Sequence, residues 1–119
     1  MNGRRFALSL AVLLPLLVTW GSSPAFGQFL SGIEGAVRDE SGALVGGARI
    51  TATDSQLGVT RTTTSSTAGY FRFESIAASA YTVRIEASGF QTWEQKDLVV
   101  TVGQIRTLTP VLTVASAAG

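Results

Sequence analysis

The sequence predicts an all-β protein, a seven-stranded antiparallel Greek-key β-sandwich that follows a cleaved signal peptide. Three observations lead to this fold class. Short runs alternate apolar and polar residues with period two, as in strands that bury one face. Glycine and other turn-favouring residues separate the runs at a spacing of roughly ten residues. No helix start signal follows the N-terminal apolar stretch.

Residues 1–27 predict a secretory signal peptide, because they combine a basic start, a 15-residue apolar run and a stretch of small residues. Ala25 and Gly27 stand at the third and first positions before a cut that precedes Gln28, and cleavage after Ala25 is the alternative. An uncleaved membrane anchor is disfavoured, since the apolar run is shorter than the ~20 residues that span a bilayer. We therefore expect an exported protein that is periplasmic, associated with the outer membrane, or secreted, and no transmembrane segment in the mature chain.

The alternating runs predict the strands in order. They lie at 33–38, 49–53, 60–67, 71–74, 81–87, 98–102 and 108–112. Pro110 lacks an amide hydrogen, which predicts an edge position for the last strand. The threonine-rich stretch 60–67 has two interpretations, an exposed strand or a glycosylated, flexible segment, and the strand propensity of threonine favours the strand. A short lead-in at 28–31, a domain at 32–113 and a tail or linker at 114–119 complete the predicted organisation.

The residue types that are missing exclude most catalytic chemistry. Without histidine and cysteine the chain has no Ser-His-Asp triad, no cysteine nucleophile, no ordinary zinc site and no disulfide. We predict no catalytic residue, no cofactor and no metal, and hence not an enzyme. Asp39, Glu40 and Asp54 could supply oxygen ligands for calcium, but acidic residues in turns more often accept hydrogen bonds from nearby backbone. The mature chain of 92 residues has seven basic and eight acidic side chains without a basic patch, so nucleic acid is not an expected partner.

Aromatic side chains are the remaining candidates for ligand contact, since an aromatic face suits the apolar side of a sugar ring. The candidates for this role are Tyr70, Tyr81, Phe90 and Trp93. Tyr81 follows a buried alternation and Phe90 follows a glycine at a strand end, which indicates core positions. Trp93, between Thr92 and Glu94, is the predicted surface candidate.

An ensemble of short motifs carries a family resemblance. These are the G-x-V-x-D-x-S-G run from Gly35 to Gly42, Val45, Gly47-Ala48, Ile50, Ala68-Gly69-Tyr70, Phe71, Phe73, Ile76, Tyr81-Thr82-Val83 and Gly89-Phe90. From about residue 32 to 112 the chain resembles a carboxypeptidase regulatory-like domain. The resemblance implies a transthyretin-like sandwich within a wider group of immunoglobulin-like and carbohydrate-binding-like folds. Gly46 stands where the family often has proline, and Ser79 where a glycine usually precedes the tyrosine strand.

Domains of this family that follow a signal peptide resemble the N-terminal extension of TonB-dependent outer-membrane receptors. This implies a non-catalytic module of the cell envelope whose partner is an envelope or outer-membrane protein. Residues 97–101 also resemble the segment by which such receptors contact their energy-coupling partner, although the alternation favours a strand of the sandwich there. The alternative function is a carbohydrate-binding module.

Overall fold

The structure is a computed structural model that describes residues 30–116, and the predicted signal peptide lies outside these residues. Within the described part, regular structure consists of nine strands. They are β1 (Ser31–Ala36), β2 (Arg38–Asp39), β3 (Arg49–Asp54), β4 (Thr60–Thr64), β5 (Tyr70–Ile76), β6 (Ser79–Glu86), β7 (Trp93–Val100), β8 (Ile105–Leu108) and β9 (Val111–Leu112). No helix that is long and apolar enough to cross a membrane occurs between residues 30 and 116.

The strands form a Greek-key sandwich of two sheets. One sheet has the order β5-β1-β8, and the other has the order β4-β3-β6-β7. The chain crosses between them repeatedly, from β1 to the β3–β4 hairpin, back to β5, across to the β6–β7 hairpin and back to β8. A two-stranded pair, β2-β9, continues the three-stranded sheet, because Arg38 lies opposite Val111 in the same register that places Gly35 opposite Leu108.

The all-β prediction is confirmed, with a correction to the strand count and direction. The runs 33–38 and 108–112 are each divided in two, at Val37 and at Thr109-Pro110, which gives nine strands instead of seven. The β1–β8 and β2–β9 pairs are parallel, whereas the prediction was antiparallel throughout. Alternation within one strand does not depend on the direction of its neighbours, so the sequence pattern holds no information on this point.

Apolar residues that alternate along the strands form the core between the sheets. Fifteen apolar side chains make up the cluster: Ile33, Val37, Ala48, Ile50, Ala52, Phe71, Phe73, Ile76, Tyr81, Val83, Ile85, Leu98, Val100, Leu108 and Leu112. Phe71 and Phe73 meet edge to face, with ring centroids 6.5 Å apart. The threonine-rich β4 is an exposed strand, as the strand interpretation predicted. Residues 97–100 lie within β7, and the segment 97–101 is therefore mostly a strand of the sandwich.

An arginine joins the sheets at each lateral edge. Arg61 of β4 donates hydrogen bonds to the carbonyls of Glu74 and Ser75 on β5 (3.1 and 3.3 Å). On the other side, Arg106 of β8 donates to the carbonyl of Val99 on β7 (2.6 Å). Open strand edges invite pairing with other chains, and the two guanidinium groups occupy carbonyls that would otherwise face outward.

The first residues of the predicted tail are bonded to the sandwich. Val114 forms a bridge with Phe90, and the amide of Ala115 donates to the carbonyl of Gly89 (2.9 Å). Backbone groups of residues 89 and 90 therefore hold Val114 and Ala115 against the sandwich.

Substitution of Gly35 tests how closely the central strand β1 packs against its neighbours. A Cβ atom there would collide with the carbonyl oxygen of Leu108 and would lie 2.9 Å from Cζ of Phe71. We expect Gly35→Ala to lower the free energy of unfolding by about 1–3 kcal/mol or more through overpacking. The control is Ala36→Ser on the opposite face of the same strand, for which we expect a change within about 0.5 kcal/mol. Urea unfolding checks both, and equal effects would contradict the assigned faces.

Candidate functional site

The outer face of the three-stranded sheet contains a trough along β1 and β2. Four residues of these strands point outward, Gly32, Glu34, Ala36 and Arg38, while the residues between them point into the core. Gly32 and Ala36 are small, so the middle of the sheet is lower than its flanks at both positions. Side chains from β5 and from the β8–β9 run form the walls.

Register determines which side chains face each other across the trough. On one side Tyr70 lies opposite Ala36, and Arg72 lies opposite Glu34. On the other side Thr107 lies opposite Glu34. Around Ala36, the residues Glu34, Tyr70 and Thr107 line a hollow of about 300 Å³, and Arg38, Thr109, Pro110 and Val111 also line it. This volume is at the lower end of the range for small-molecule sites.

The polar groups of this hollow are held by one another. The Tyr70 hydroxyl donates to Oε1 of Glu34 (3.2 Å), and Nε of Arg72 lies 3.8 Å from the same oxygen. Arg72 also lies 3.5 Å from Glu74. Because Tyr70 is held through its hydroxyl while 45% of the residue is exposed, its ring is available to a ligand. Apolar ring, carboxylate and threonine hydroxyls together suit a molecule with an apolar face and several hydroxyl groups.

Arg38 stands at the far end of the hollow. Its Nη1 donates to the carbonyl of Gly42 (3.0 Å), which positions the guanidinium. None of the ion pairs within residues 30–116 includes Arg38. A guanidinium has five N–H donors, so several donors of Arg38 are left for a ligand.

A second, smaller hollow of about 170 Å³ lies over Gly32, further along the same face. Leu30, Arg72, Glu74 and Ile105 are among its lining residues. Glu34 and its ion pair with Arg72 stand between the two hollows. The trough therefore offers two adjoining depressions along one strand.

Trp93, the residue predicted for sugar contact, lies on the other sheet. It begins β7 opposite Ile85, is half-buried and packs against the core cluster. It lines neither hollow of the trough. A ligand role for Trp93 stays a prediction. Tyr81 and Phe90 have the predicted core positions, since Tyr81 is buried with its hydroxyl donating to the carbonyl of Ala77 (2.6 Å) and Phe90 packs against the cluster.

Tyr70 is among the aromatic candidates of the sequence analysis, but the predicted surface residue there is Trp93. The position of Tyr70 had a readable signal, because Phe71 and Phe73 are the buried members of β5 and residues 70, 72 and 74 must then share the outer face. The alternation does not identify the residue that contacts Tyr70 from the neighbouring strand. Glu34 is 36 residues away and meets Tyr70 only through the β1–β5 pairing.

Two of the three candidate calcium ligands, Asp39 and Asp54, accept hydrogen bonds within local turns. Oδ1 of Asp39 accepts hydrogen bonds from the Ser41 amide, the Ser41 hydroxyl and the Ala43 amide. Oδ1 of Asp54 accepts from the Ser79 hydroxyl (2.7 Å) and from the amides of Gln56 and Leu57. Within the described part of the chain no three metal-ligating side chains form a group.

Ser79 has a defined role in place of the glycine usual in the family. Its hydroxyl is the main cause that lowers the pKa of Asp54 below the ordinary value, and the Leu57 and Gln56 amides add to this effect while burial opposes it. Ser79 is not among the residues with positive φ. The turn before Tyr81 therefore needs no glycine, and the serine joins two loops.

Acidification tests this hydrogen bond. Because the pKa of Asp54 is lowered on folding, its carboxylate stabilises the fold above the unfolded pKa, about 3.9, and this stabilisation is lost as the pH falls towards the folded value. We expect Ser79→Ala to lower stability at pH 7 and to make the loss of stability shallower as the pH falls below the unfolded pKa. Urea midpoints across this pH range measure the effect, with Ser88→Ala in an exposed turn as control. A wild-type slope in Ser79→Ala would contradict the assignment.

The family assignment agrees with this geometry. A model of the carboxypeptidase regulatory-like domain matches residues 32–113, which is more than half of the chain. The protein belongs to the carboxypeptidase regulatory-like domain family. No curated protein sequence matches the chain.

Two solved structures extend the comparison of this regulatory-like domain. A structure described as a putative carbohydrate binding protein from Bacteroides uniformis is 27% identical with a TM-score of 0.57, and the match covers 69% of this chain and 40% of that one. The TIE protein of Bacillus anthracis is 13% identical with a TM-score of 0.60, over 73% of this chain and 17% of that one. The domain thus spans less than half the length of either.

Catechol 1,2-dioxygenases share the fold of this regulatory-like domain. The enzyme from Acinetobacter radioresistens has a TM-score of 0.60 at 11% identity, and the match covers 81% of this chain and 55% of the enzyme. At this identity the likeness concerns the sandwich alone.

Proposed function

We propose that this regulatory-like domain is a non-catalytic, exported binding module, and that the trough along β1 binds carbohydrate. The observation on which this rests is the half-exposed Tyr70 opposite Ala36, in a hollow that Glu34, Thr107 and Thr109 also line. An apolar ring face beside hydrogen-bonding groups is the combination that a sugar requires. The likeness to the Bacteroides uniformis protein supports the same ligand class.

Each group in the hollow has a task in this proposal. The Tyr70 ring stacks on the apolar face of a sugar unit. Glu34, already held by Tyr70 and Arg72, accepts hydrogen bonds from sugar hydroxyls without having to change its position. Thr107 and Thr109 provide hydroxyls from the opposite wall. Because these groups come from neighbouring strands of one sheet, little order has to be gained on binding.

No residue constellation in the trough suits catalysis, which supports a binding role. Its carboxylates are Glu34, and Glu74 across Arg72, and both lie within ion-pair distance of that arginine. Arg72 lies between these two carboxylates, whereas glycoside hydrolysis needs two carboxylates that flank the scissile bond.

Substitution of Tyr70 tests the proposal. We expect Tyr70→Ala to weaken binding of the oligosaccharide that binds best in a broad panel at least tenfold, about 1.4 kcal/mol, because the stacking surface is lost. Tyr70→Phe keeps the ring and should stay within a few-fold of the wild type. Trp93→Phe is the comparison on the other sheet, with no expected change. Isothermal titration calorimetry of the purified protein measures all three.

Absence of binding across neutral and acidic oligosaccharides would refute this function. Binding that Tyr70→Ala leaves intact while Trp93→Phe weakens it would instead assign the ligand to Trp93. Urea unfolding of each variant verifies that a lost affinity does not arise from a lost fold.

A second candidate function is that of an N-terminal extension of a TonB-dependent receptor, and the path of the chain favours it. The chain enters beside residues 101–104, where the Gly32 amide donates to the carbonyl of Gln104 (3.0 Å). It leaves beside Gly89 and Phe90, past the end of β2, because Val114 follows Leu112, which lies opposite Asp39. The extended run of β1 and β2 from Ser31 to Asp39 lies between the two ends, which separates them by roughly 25 Å. This layout suits a module placed in line between a leader and a following domain.

The cellular form of the protein tests the second candidate. An antibody against the sandwich would detect the native product in fractionated cells, and mass spectrometry would give its intact mass. For the receptor extension we expect a product far heavier than 12.4 kDa in the outer-membrane fraction. A product of about 92 residues in the periplasm or medium would contradict it and leave the binding module.

A further inference from the structure

The surroundings of Arg38 indicate the charge of the ligand, an inference that rests on the proposed carbohydrate-binding function. The hollow over Ala36 has one acidic and one basic side chain, and they differ in their partners. Glu34 has Tyr70 and Arg72 within reach, whereas Arg38 has the neutral Gly42 carbonyl and no ion pair among residues 30–116. The positive charge is thus the one that the hollow leaves without a counter-charge.

The geometry points to an acidic sugar as the ligand: we propose that the trough binds a uronate-containing oligosaccharide with a ring carboxylate paired to Arg38. A guanidinium offers parallel N–H donors that match the two oxygens of a carboxylate, and this pairing is stronger than a neutral hydrogen bond. Its bond to the Gly42 carbonyl holds the group at the rim of the hollow.

The position of Glu34 fixes the orientation of such a ligand. Glu34 and Arg38 are four residues apart on one extended run, which separates their Cα atoms by about 13 Å. A ligand carboxylate next to Glu34 would meet a like charge, whereas at Arg38 it meets an opposite one. The sugar that stacks on Tyr70 between them would therefore direct its carboxylate to Arg38 and its hydroxyls to Glu34.

The other charged groups near the trough do not offer the same site. Arg72 lies between Glu34 and Glu74, 3.8 and 3.5 Å away, so a ligand carboxylate there would meet two like charges. Asp39 follows Arg38 in sequence, but its Oδ1 accepts three hydrogen bonds within the turn to Ala43. Arg38 is accordingly the cation of the trough that is best placed for an anion.

A matched pair of ligands tests the inference. The probes are uronate tetramers, including an α-1,4-linked galacturonate tetramer, and the methyl ester of each, which has the same skeleton without the charge. We expect a uronate tetramer to bind at least tenfold more tightly than its ester, with an affinity that falls as NaCl is raised. Arg38→Gln should remove this preference while the ester keeps its affinity. Arg38→Lys should retain part of this preference, because lysine keeps the positive charge but lacks the parallel N–H donors of a guanidinium.

The control is Arg84→Gln on the outer face of the other sheet, an exposed arginine that pairs with Glu86 (3.9 Å) and should leave the preference unchanged. Equal affinity for acid and ester, or a preference that survives Arg38→Gln, would overturn the inference while Tyr70-dependent sugar binding stood. If no oligosaccharide bound in a Tyr70-dependent way, the proposed function itself would fail, and this inference with it.

Discussion

The double pairing of β1 is the constraint on which the rest of the sandwich depends. β1 bonds to β5 on one side and to β8 on the other, antiparallel and parallel respectively. Both neighbours approach closely because Gly35 has no side chain, and its Cα faces the Leu108 carbonyl and the Phe71 ring. The same strand carries the core residue Ile33 on one face and the floor of the trough on the other. One strand thus fixes the core and the site together.

Side chains of one sheet donate hydrogen bonds to backbone carbonyls of the other sheet at the edges of the sandwich. Arg61 and Arg106 each reach across a lateral edge to carbonyls of the facing sheet, and the Ser31 hydroxyl donates to the Thr101 carbonyl (2.7 Å). A protein without disulfides relies on apolar burial for its stability, and such contacts protect the edges where that burial ends. The outer faces remain free, which explains how a binding surface can occupy one of them without loss to the core.

Most of the fold was readable from the sequence, and the candidate site was readable only in part. Alternation at Phe71 and Phe73, or at Val83 and Ile85, reports burial directly, so the core and the strand positions could be predicted. The polar neighbours Thr92 and Glu94 predict a surface position for Trp93, and in the structure it is half-buried opposite Ile85. Polar neighbours do not expose a residue in a strand, since successive side chains point to opposite faces.

The sequence by itself determined the periodicity of each strand, the turns between strands and the absence of histidine and cysteine chemistry, because these are properties of local residue order. Only the tertiary structure decided which strands pair, in which direction, and where a run such as 108–112 divides between β8 and β9. The trough belongs to this second class. Glu34 and Tyr70 are 36 residues apart, and they share a surface because the register of β1 with β5 places them there. Register is set by packing across the whole sheet, which no short stretch of sequence specifies.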